Sequence, residues 1–421
     1  MKLSIIGTGY VGLVTGVCFA KQGHQVICVD IEQQKVDAIN QGTPLIYEKG
    51  LEKLLKKVQS NLKATTDYIE AINNSDITFI CVGTPSNDDG SIDLTFIKKA
   101  SETIGKTLKQ KHNWHTVVVK STVIPGTTRD MVLPLLEKHS DKTAGKDFGV
   151  AMNPEFLREG IAIKDFMEPD RVVIGTTDEK SKQLLKSLYQ SFNCPIVETT
   201  PTGAEMIKYA SNAFLATKIS FINELGNLCK HLNIDTYDVA DGMGLDKRIN
   251  RAFLDSGLGY GGSCFPKDVH ALIAQARKWN EPTPVLNAIV ERNDLQPLKI
   301  IHLLKQHIPN LKGKTIGILG LAFKPHTDDI RESRAIPIVK QLLKEQATIK
   351  AFDPQAMNNF NQEFPNITYC STPEEVLQSD AVLLTTAWPE FSSLDYSKSI
   401  VIDGRRFPPA TKAKVYEGVC W

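Results

Sequence analysis

Along the first half of the chain, short β-branched runs alternate with longer amphipathic stretches. That is the pattern of a doubly wound parallel sheet. It predicts strands at Lys2–Ile6, Gln25–Val29, Ile77–Val82, Thr116–Lys120, Phe148–Met152 and Arg171–Gly175. The early runs each stop where Gly, Asp, Thr or Ser opens a loop, and open α/β sheets take up their ligands at those strand ends.

The rhythm changes near residue 202. Thr202 and Glu205 have capping-box spacing, and Ile207, Ala210, Phe214, Thr217, Phe221, Leu225 and Leu228 then recur at steps of three and four. This predicts one helix of unusual length, suited to act as a domain spacer and dimer interface. No strand-like run returns until after residue 310. The last third repeats the first: Thr315–Leu319 leads into Gly320, Thr348–Phe352 ends in Asp353 as Gln25–Val29 ends in Asp30, and Ala381–Thr385 parallels Ile77–Val82. Ile400–Ile402 closes the sheet before Asp403-Gly404-Arg405-Arg406. The expected class is therefore α/β, with two Rossmann-like doubly wound domains (1–199 and 301–421) joined by a helical central domain (200–300).

Composition changes this picture little. The 421 residues are enough for two or three cores. Lys plus Arg number 49 against 48 Asp plus Glu, which gives no electrostatic reason to expect nucleic acid or an anionic membrane as partner. No run reaches the roughly 18 uninterrupted apolar residues of a spanning helix. The apolar start MKLSIIGTGYVGLV reads as strand, loop and helix rather than signal peptide, because three glycines fall within six residues. Eight cysteines lie scattered without CxxC pairs, which argues against a disulfide framework or a metal site and for a reducing, cytoplasmic setting.

Gly7-Thr8-Gly9-Tyr10-Val11-Gly12 follows a strand at once and opens a helix. Such glycines allow a tight turn and close approach of the backbone to a pyrophosphate, whose charge sits at the helix N-terminus. Asp30 ends the next strand, 18 residues beyond Gly12. A carboxylate there accepts ribose hydroxyls and repels a 2′-phosphate, favouring NAD over NADP. The second cluster, Gly317 and Gly320, lacks the full pattern and reads as a modified nucleotide site or a structural relic.

Gly261-Gly262-Ser263-Cys264-Phe265-Pro266-Lys267-Asp268 carries the chemistry. A thiol follows a flexible glycine pair, and a nearby cation favours the thiolate, the nucleophilic form. The other seven cysteines read as small buried core residues. Lys208 and Asn212, four apart on the long helix, share a face; together they can stabilise an oxyanion and orient water, or simply form a solvated face. Asn153-Pro154-Glu155-Phe156-Leu157-Arg158-Glu159 follows a strand and offers two carboxylates, which equally read as surface acids. Lys120-Ser121-Thr122, also at a strand end, serves cofactor or water, or caps a helix. Lys324, Arg331 and Arg405 are candidate phosphate ligands or plain surface cations.

Taken in order, GxGYVG, CVGTP, KSTVIPGT, NPEFLREG, KYASNAFLATKISFINE, GYGGSCFPKD, GLAFKPHTDDIRES and DGRR cover nearly the whole chain. The chain thereby resembles the UDP-glucose/GDP-mannose dehydrogenase family. The resemblance implies NAD held by Gly7, Gly9, Val11, Gly12 and Asp30, with Lys35, Thr84, Thr122, Glu159, Lys267 and Arg331 nearby. It implies a nucleotide-sugar substrate, UDP-glucose, held by Glu155, Phe156, Leu157, Lys208, Asn212, Phe253, Leu254, Tyr260, Gly261, Lys324 and Arg405, with the final domain taking the uridine diphosphate. Arg248 matches an arginine that in this family reaches the neighbouring subunit's active site, so a homodimer or higher oligomer is expected.

The implied reaction is a four-electron oxidation to UDP-glucuronate without aldehyde release. Cys264 carries a thiohemiacetal and then a thioester, which water hydrolyses. Lys208 and Asn212 would stabilise the oxyanions, and Asp268, Glu155 and Thr122 would position or deprotonate water. Arg248-Ile249-Asn250, where the family often reads RIG, and Arg334, in place of a small residue or Pro, depart from the pattern beside binding positions. The nearest rival is the GDP-mannose branch, against which Gly160 argues, since Ser tends to stand there. A different class of reading is a sensor that binds without turnover; the intact Cys264, Lys208, Asn212 and Asp268 set speaks against it.

Overall fold

The computed structural model describes residues 1–421 throughout. They divide into two compact units, Met1–Ser211 and Asn212–Trp421.

The N-terminal unit holds one eight-stranded sheet: β1 (Lys2–Ile6), β2 (Gln25–Val29), β3 (Leu62–Thr65), β4 (Ile77–Ile80), β5 (Thr116–Val119), β6 (Gly149–Met152), β7 (Val172–Thr176) and β8 (Ile196–Thr199). Their spatial order is β3-β2-β1-β4-β5-β6-β7-β8. All pairs are parallel except β6 with β7, which run antiparallel. The first six follow the 3-2-1-4-5-6 order of dinucleotide-binding sheets, so a crevice opens where the order reverses between β1 and β4. Central strands β4, β5 and β6 are buried at every position, because helices cover both faces; that is why they read as continuous apolar runs.

The C-terminal unit repeats the plan with β9 (Thr315–Leu319), β10 (Thr348–Phe352), β11 (Thr368–Tyr369), β12 (Ala381–Leu384), β13 (Ile400–Asp403) and β14 (Val415–Gly418). Its order, β11-β10-β9-β12-β13-β14, is parallel throughout. Before β9 the unit is helical, with helices at Thr236–Gly244, Phe265–Lys278, Pro284–Leu295 and Leu298–His307.

The long helix spans Pro201–Leu232, and its start corrects the predicted capping box. Thr200, not Thr202, caps it: the Thr200 hydroxyl accepts the Gly203 N–H at 3.1 Å, with Pro201 in the first turn. Glu205 is fully buried and turns away from its own helix end. Its carboxylate accepts the N–H groups of Gly126 (2.6 Å) and Thr128 (2.8 Å) instead, satisfying backbone donors in the loop that follows Lys120-Ser121-Thr122. No helix is long and apolar enough to cross a membrane.

Candidate active site

The glycine turn sits at the reversal point of the first sheet. Gly7 has φ +93°, and a β-carbon there would lie 2.8 Å from the Cys81 carbonyl oxygen, so only glycine fits. At Gly12 a β-carbon would strike the Gly7 carbonyl oxygen. Gly9 is different: nothing lies within 4 Å of the place a β-carbon would take. That open space at the start of the helix Tyr10–Lys21, beside unpaired helix N–H groups, fits a pyrophosphate. Val11 is the second residue of the same helix.

Asp30 is 7 % exposed. One carboxylate oxygen accepts the Thr8 N–H (2.9 Å) and hydroxyl (2.6 Å), the other the Glu32 N–H (3.1 Å). Burial pushes its pKa up, but these bonds together with nearby Lys35 outweigh burial and hold it below the usual carboxylate range. It therefore stays ionised, as an acceptor for ribose hydroxyls must. Lys35 itself pairs with Glu32 at 2.6 Å. Thr84, beyond β4, donates its hydroxyl to the Thr122 carbonyl at 3.0 Å, joining two of the expected cofactor-side residues.

The loop after β6 brings together most of the remaining expected residues of this unit. Lys208 and Glu155, 3 % and 7 % exposed, form a buried ion pair at 3.0 Å. The second Glu155 oxygen accepts the Leu157 N–H at 2.5 Å. Burial opposes the charge on Glu155, yet Lys208, the Leu157 amide and Lys120 together keep its pKa below the ordinary value. Lys120 is buried too, its ammonium 3.0 Å from the Asn153 side-chain oxygen. Burial brings its pKa down to about 8. Phe156 lies between two cations, with the Arg171 guanidinium 3.7 Å and the Lys208 ammonium 5.3 Å from its ring centre. Glu159 is half-buried just before Gly160, which has φ +83°. The surface readings of Lys208 and Glu155 are thus corrected: an ammonium and a carboxylate this deeply buried persist only as a pair.

In the C-terminal unit, Cys264 is the N-cap residue of the helix Phe265–Lys278. Cys264 therefore sits at the positive end of the helix dipole. Lys267, the nearby cation of the sequence pattern, is paired with Asp268 at 2.5 Å. The other Asp268 oxygen accepts the Asn212 amide at 2.6 Å, and both residues are buried. Asn212, Lys267, Asp268 and Cys264 thus belong to one local assembly. The solvated-face reading of Asn212 fails with that of Lys208.

The loop before the thiol is held by its backbone. Gly262 donates its N–H to the Arg331 carbonyl at 2.9 Å, and side chains at Gly261 and Gly262 would collide with Glu332 and Phe323. Phe253 (φ +65°) and Tyr260 pack against Phe265, with ring centres 6.3 and 6.1 Å away, and Leu254 is buried nearby. Arg405, at the end of β13, donates to the Thr385 carbonyl at 2.7 Å. Burial, with Arg334 nearby, lowers its pKa to about 10. Lys324 lies 5.5 Å over the Phe323 ring. Arg331 is exposed and clamped bidentately by Asp329, and Arg248 is exposed and clamped by Asp246. Of the other seven cysteines six are buried, Cys194 is half-buried, and all are free. No group of three or more His, Cys, Asp or Glu side chains is placed to hold a metal ion.

Sequence reading missed Lys120 as a buried cation and Glu205 as the anchor of the 126–128 backbone. It also missed Glu48, which binds the loop after Glu159. Burial and hydrogen-bond partners, which the sequence does not show, are what distinguish these three.

Comparison with known proteins agrees with this geometry. Residues 1–193 match the NAD binding domain of the UDP-glucose/GDP-mannose dehydrogenase family, 202–295 its central domain and 317–408 its UDP binding domain. The chain is 45 % identical to UDP-glucose 6-dehydrogenase AglM of Haloferax volcanii, over 100 % of both chains. It is 42 % identical to UDP-glucose 6-dehydrogenase TuaD of Bacillus subtilis, covering 96 % of this chain and 89 % of the relative. Identity to the GDP-mannose 6-dehydrogenase of Pseudomonas aeruginosa is 39 %, over 100 % of both. The solved UDP-glucose dehydrogenase of Pyrobaculum islandicum superposes with a TM-score of 0.96 at 43 % identity, covering 100 % of this chain and 98 % of that one. With a glycine turn shaped for a dinucleotide and a thiol at a helix N-terminus, the chain belongs to the UDP-glucose/GDP-mannose dehydrogenase family and is an NAD-dependent oxidoreductase.

Proposed function

We propose that the chain oxidises the C6 alcohol of UDP-glucose to the carboxylate of UDP-glucuronate, with Cys264 as covalent nucleophile. NAD, bound by Gly7, Gly9, Val11, Gly12 and Asp30, supplies the hydride acceptor for both oxidation steps. Lys35, Thr84, Glu159, Lys267 and Arg331 lie on the cofactor side, Glu159 toward the nicotinamide. Lys208 and Asn212 stabilise the alkoxide and oxyanion states. The Cys264 thiolate adds to the aldehyde carbon to give a thiohemiacetal; loss of a second hydride and a proton leaves the thioester. Glu155, ionised at neutral pH, can take a proton from water, with Thr122 and Asp268 positioning it. Addition of that water frees the carboxylate and restores the thiol.

The observation that carries this reading is the assembly around Cys264: a thiol at a helix N-terminus, with Asp268 one turn on and held from both sides by Asn212 and Lys267. Substrate contacts are assigned to Phe156, Leu157, Phe253, Leu254, Tyr260, Gly261, Lys324 and Arg405. The match of residues 317–408 to a UDP binding domain supports a uridine nucleotide. Cys264→Ser tests the mechanism. It should retain a weak first oxidation and lose the second, so that product analysis finds no uronate; undiminished carboxylate formation would remove the covalent step.

We also assign the exposed face of the long helix to a second copy of the chain. Phe214, Phe221, Leu228 and Leu232 recur along it and are 64, 49, 56 and 66 % exposed, an apolar row that a monomer rarely leaves in water. Arg248, exposed at the surface, is assigned to the neighbouring subunit's site. None of the eight cysteines forms a disulfide, which fits a reducing compartment, and the cytoplasm is the location we assign.

A further inference from the structure

Glu48 lies in the connection before the helix Leu51–Lys57 and is 6 % exposed. No lysine or arginine pairs with it. Three groups converge on its carboxylate instead. The Tyr10 hydroxyl donates to one oxygen, and the Gly160 N–H donates to the same oxygen at 2.7 Å. The Ala162 N–H donates to the other oxygen at 2.9 Å. Gly160 N–H also reaches the Tyr10 hydroxyl oxygen at 3.0 Å. Burial, with Glu48 beside it, pushes the Tyr10 phenol far above its ordinary pKa, so it remains a donor.

The two segments joined in this way are the ones the cofactor reading uses. Tyr10 is the first residue of the helix behind the glycine turn. Gly160, in the left-handed region at φ +83°, directly follows Glu159. Glu159 is thus the immediate chain neighbour of an amide that the clamp holds. An irregular loop with one residue at positive φ needs fixed partners to hold a side chain in place, and Glu48 supplies two of its backbone N–H groups with charge-assisted acceptors.

We propose that Glu48, through Tyr10 and the Gly160 and Ala162 amides, is a positioning residue that holds Glu159 against the nicotinamide half of NAD. This rests on the assignment of Glu159 to the cofactor side. The pyrophosphate turn has its own support from Gly7 and Asp30, and the upstream substrate positions Phe156 and Leu157 have theirs from Glu155. Loss of the clamp should therefore fall selectively on the nicotinamide half.

The test uses the full chain with Glu48→Gln, Tyr10→Phe and Glu159→Gln, measuring affinities for NAD, ADP-ribose and UDP-glucose by titration calorimetry without turnover. Glutamine keeps the size but loses one of the two acceptor oxygens, and Tyr10→Phe removes one donor with little change in packing. Glu48→Gln should weaken NAD about tenfold, the equivalent of one or two hydrogen bonds. ADP-ribose and UDP-glucose should stay within about twofold, and Tyr10→Phe should show the same selectivity to a lesser degree. Equal weakening of all three ligands would mean a merely structural carboxylate and overturn the proposal. If Glu159→Gln weakens NAD while Glu48→Gln and Tyr10→Phe do not, the clamp alone falls. If Glu159→Gln leaves NAD binding intact, the assignment beneath it falls.

Discussion

At the scale of single residues, charge burial separates the working groups from the ordinary ones, and it also sets how the protein meets acid. His115 is fully buried, with Nε2 2.7 Å from the Thr78 hydroxyl and Nδ1 3.1 Å from the Ser75 carbonyl. Burial, helped by nearby Lys111, brings its pKa down to about 3. An unfolded chain takes that proton near about 6.5. Between these values the unfolded state binds one more proton, so the stability is whole above the upper value and is lost as pH falls toward the lower. Wild type should lose about 2 kcal/mol more than His115→Gln between pH 7 and pH 5, measured by urea denaturation; equal losses would contradict the burial of a neutral imidazole. Nothing in Trp114-His115-Thr116 announced this, because a histidine before an apolar run looks the same buried or exposed. Cys264 was legible for the opposite reason: two glycines, a thiol, Pro266 and an acid at fixed offsets form a local pattern. The structure adds its seat at a helix N-terminus and the pairing of Lys267 with Asp268.

At the scale of elements, the two sheets share one plan and use it differently. Asp30 and Asp353 end corresponding strands, β2 and β10. Asp30 is bound by the Thr8 and Glu32 groups alone and keeps acceptor capacity. Asp353 is fully buried and accepts N–H groups from Leu321, Ala322, Gln355, Ala356 and the Trp388 indole. It has become part of the core and ties down the backbone that follows Gly320. Asp30→Ala should weaken NAD and narrow its advantage over NADP, and should cost less stability than Asp353→Ala because it orphans fewer buried donors. Asp353→Ala should cost about 3 kcal/mol or more by orphaning several buried donors. Denaturation and cofactor titration on both variants would check this, and equal behaviour would contradict it. The sequence showed ten of the fourteen strands. It hid β3, β8, β11 and β14, which are short sheet edges or their neighbours and carry partly exposed positions such as Lys63, Glu198 and Glu417, so no apolar run marks them. The helix end was misread because Glu205 has the capping-box spacing but is committed to Gly126 and Thr128.

At the scale of the whole molecule, two mainly parallel sheets and a helical segment were legible from period alone, since buried strands and a 32-residue helix leave long, regular signals; the antiparallel β6–β7 pairing was not. The proposed second copy rests on an apolar row, and in the sequence the same residues would equally serve an intramolecular contact. The exposure of Phe214, Phe221, Leu228 and Leu232 on the structure favours a second copy. Phe221→Glu should shift the protein to monomer in light scattering coupled to size exclusion, by burying an unpaired charge in the interface. An unchanged mass would place the interface elsewhere.

The central claim is oxidation of one sugar carbon from alcohol to acid. Its most direct test is the NADH formed from excess NAD and a limiting amount of UDP-glucose, beside the same assay with GDP-mannose. Two equivalents of NADH per UDP-glucose, and little from GDP-mannose, are expected. One equivalent would contradict the covalent second oxidation, two from GDP-mannose alone would replace the sugar, and none from either would contradict catalysis on both.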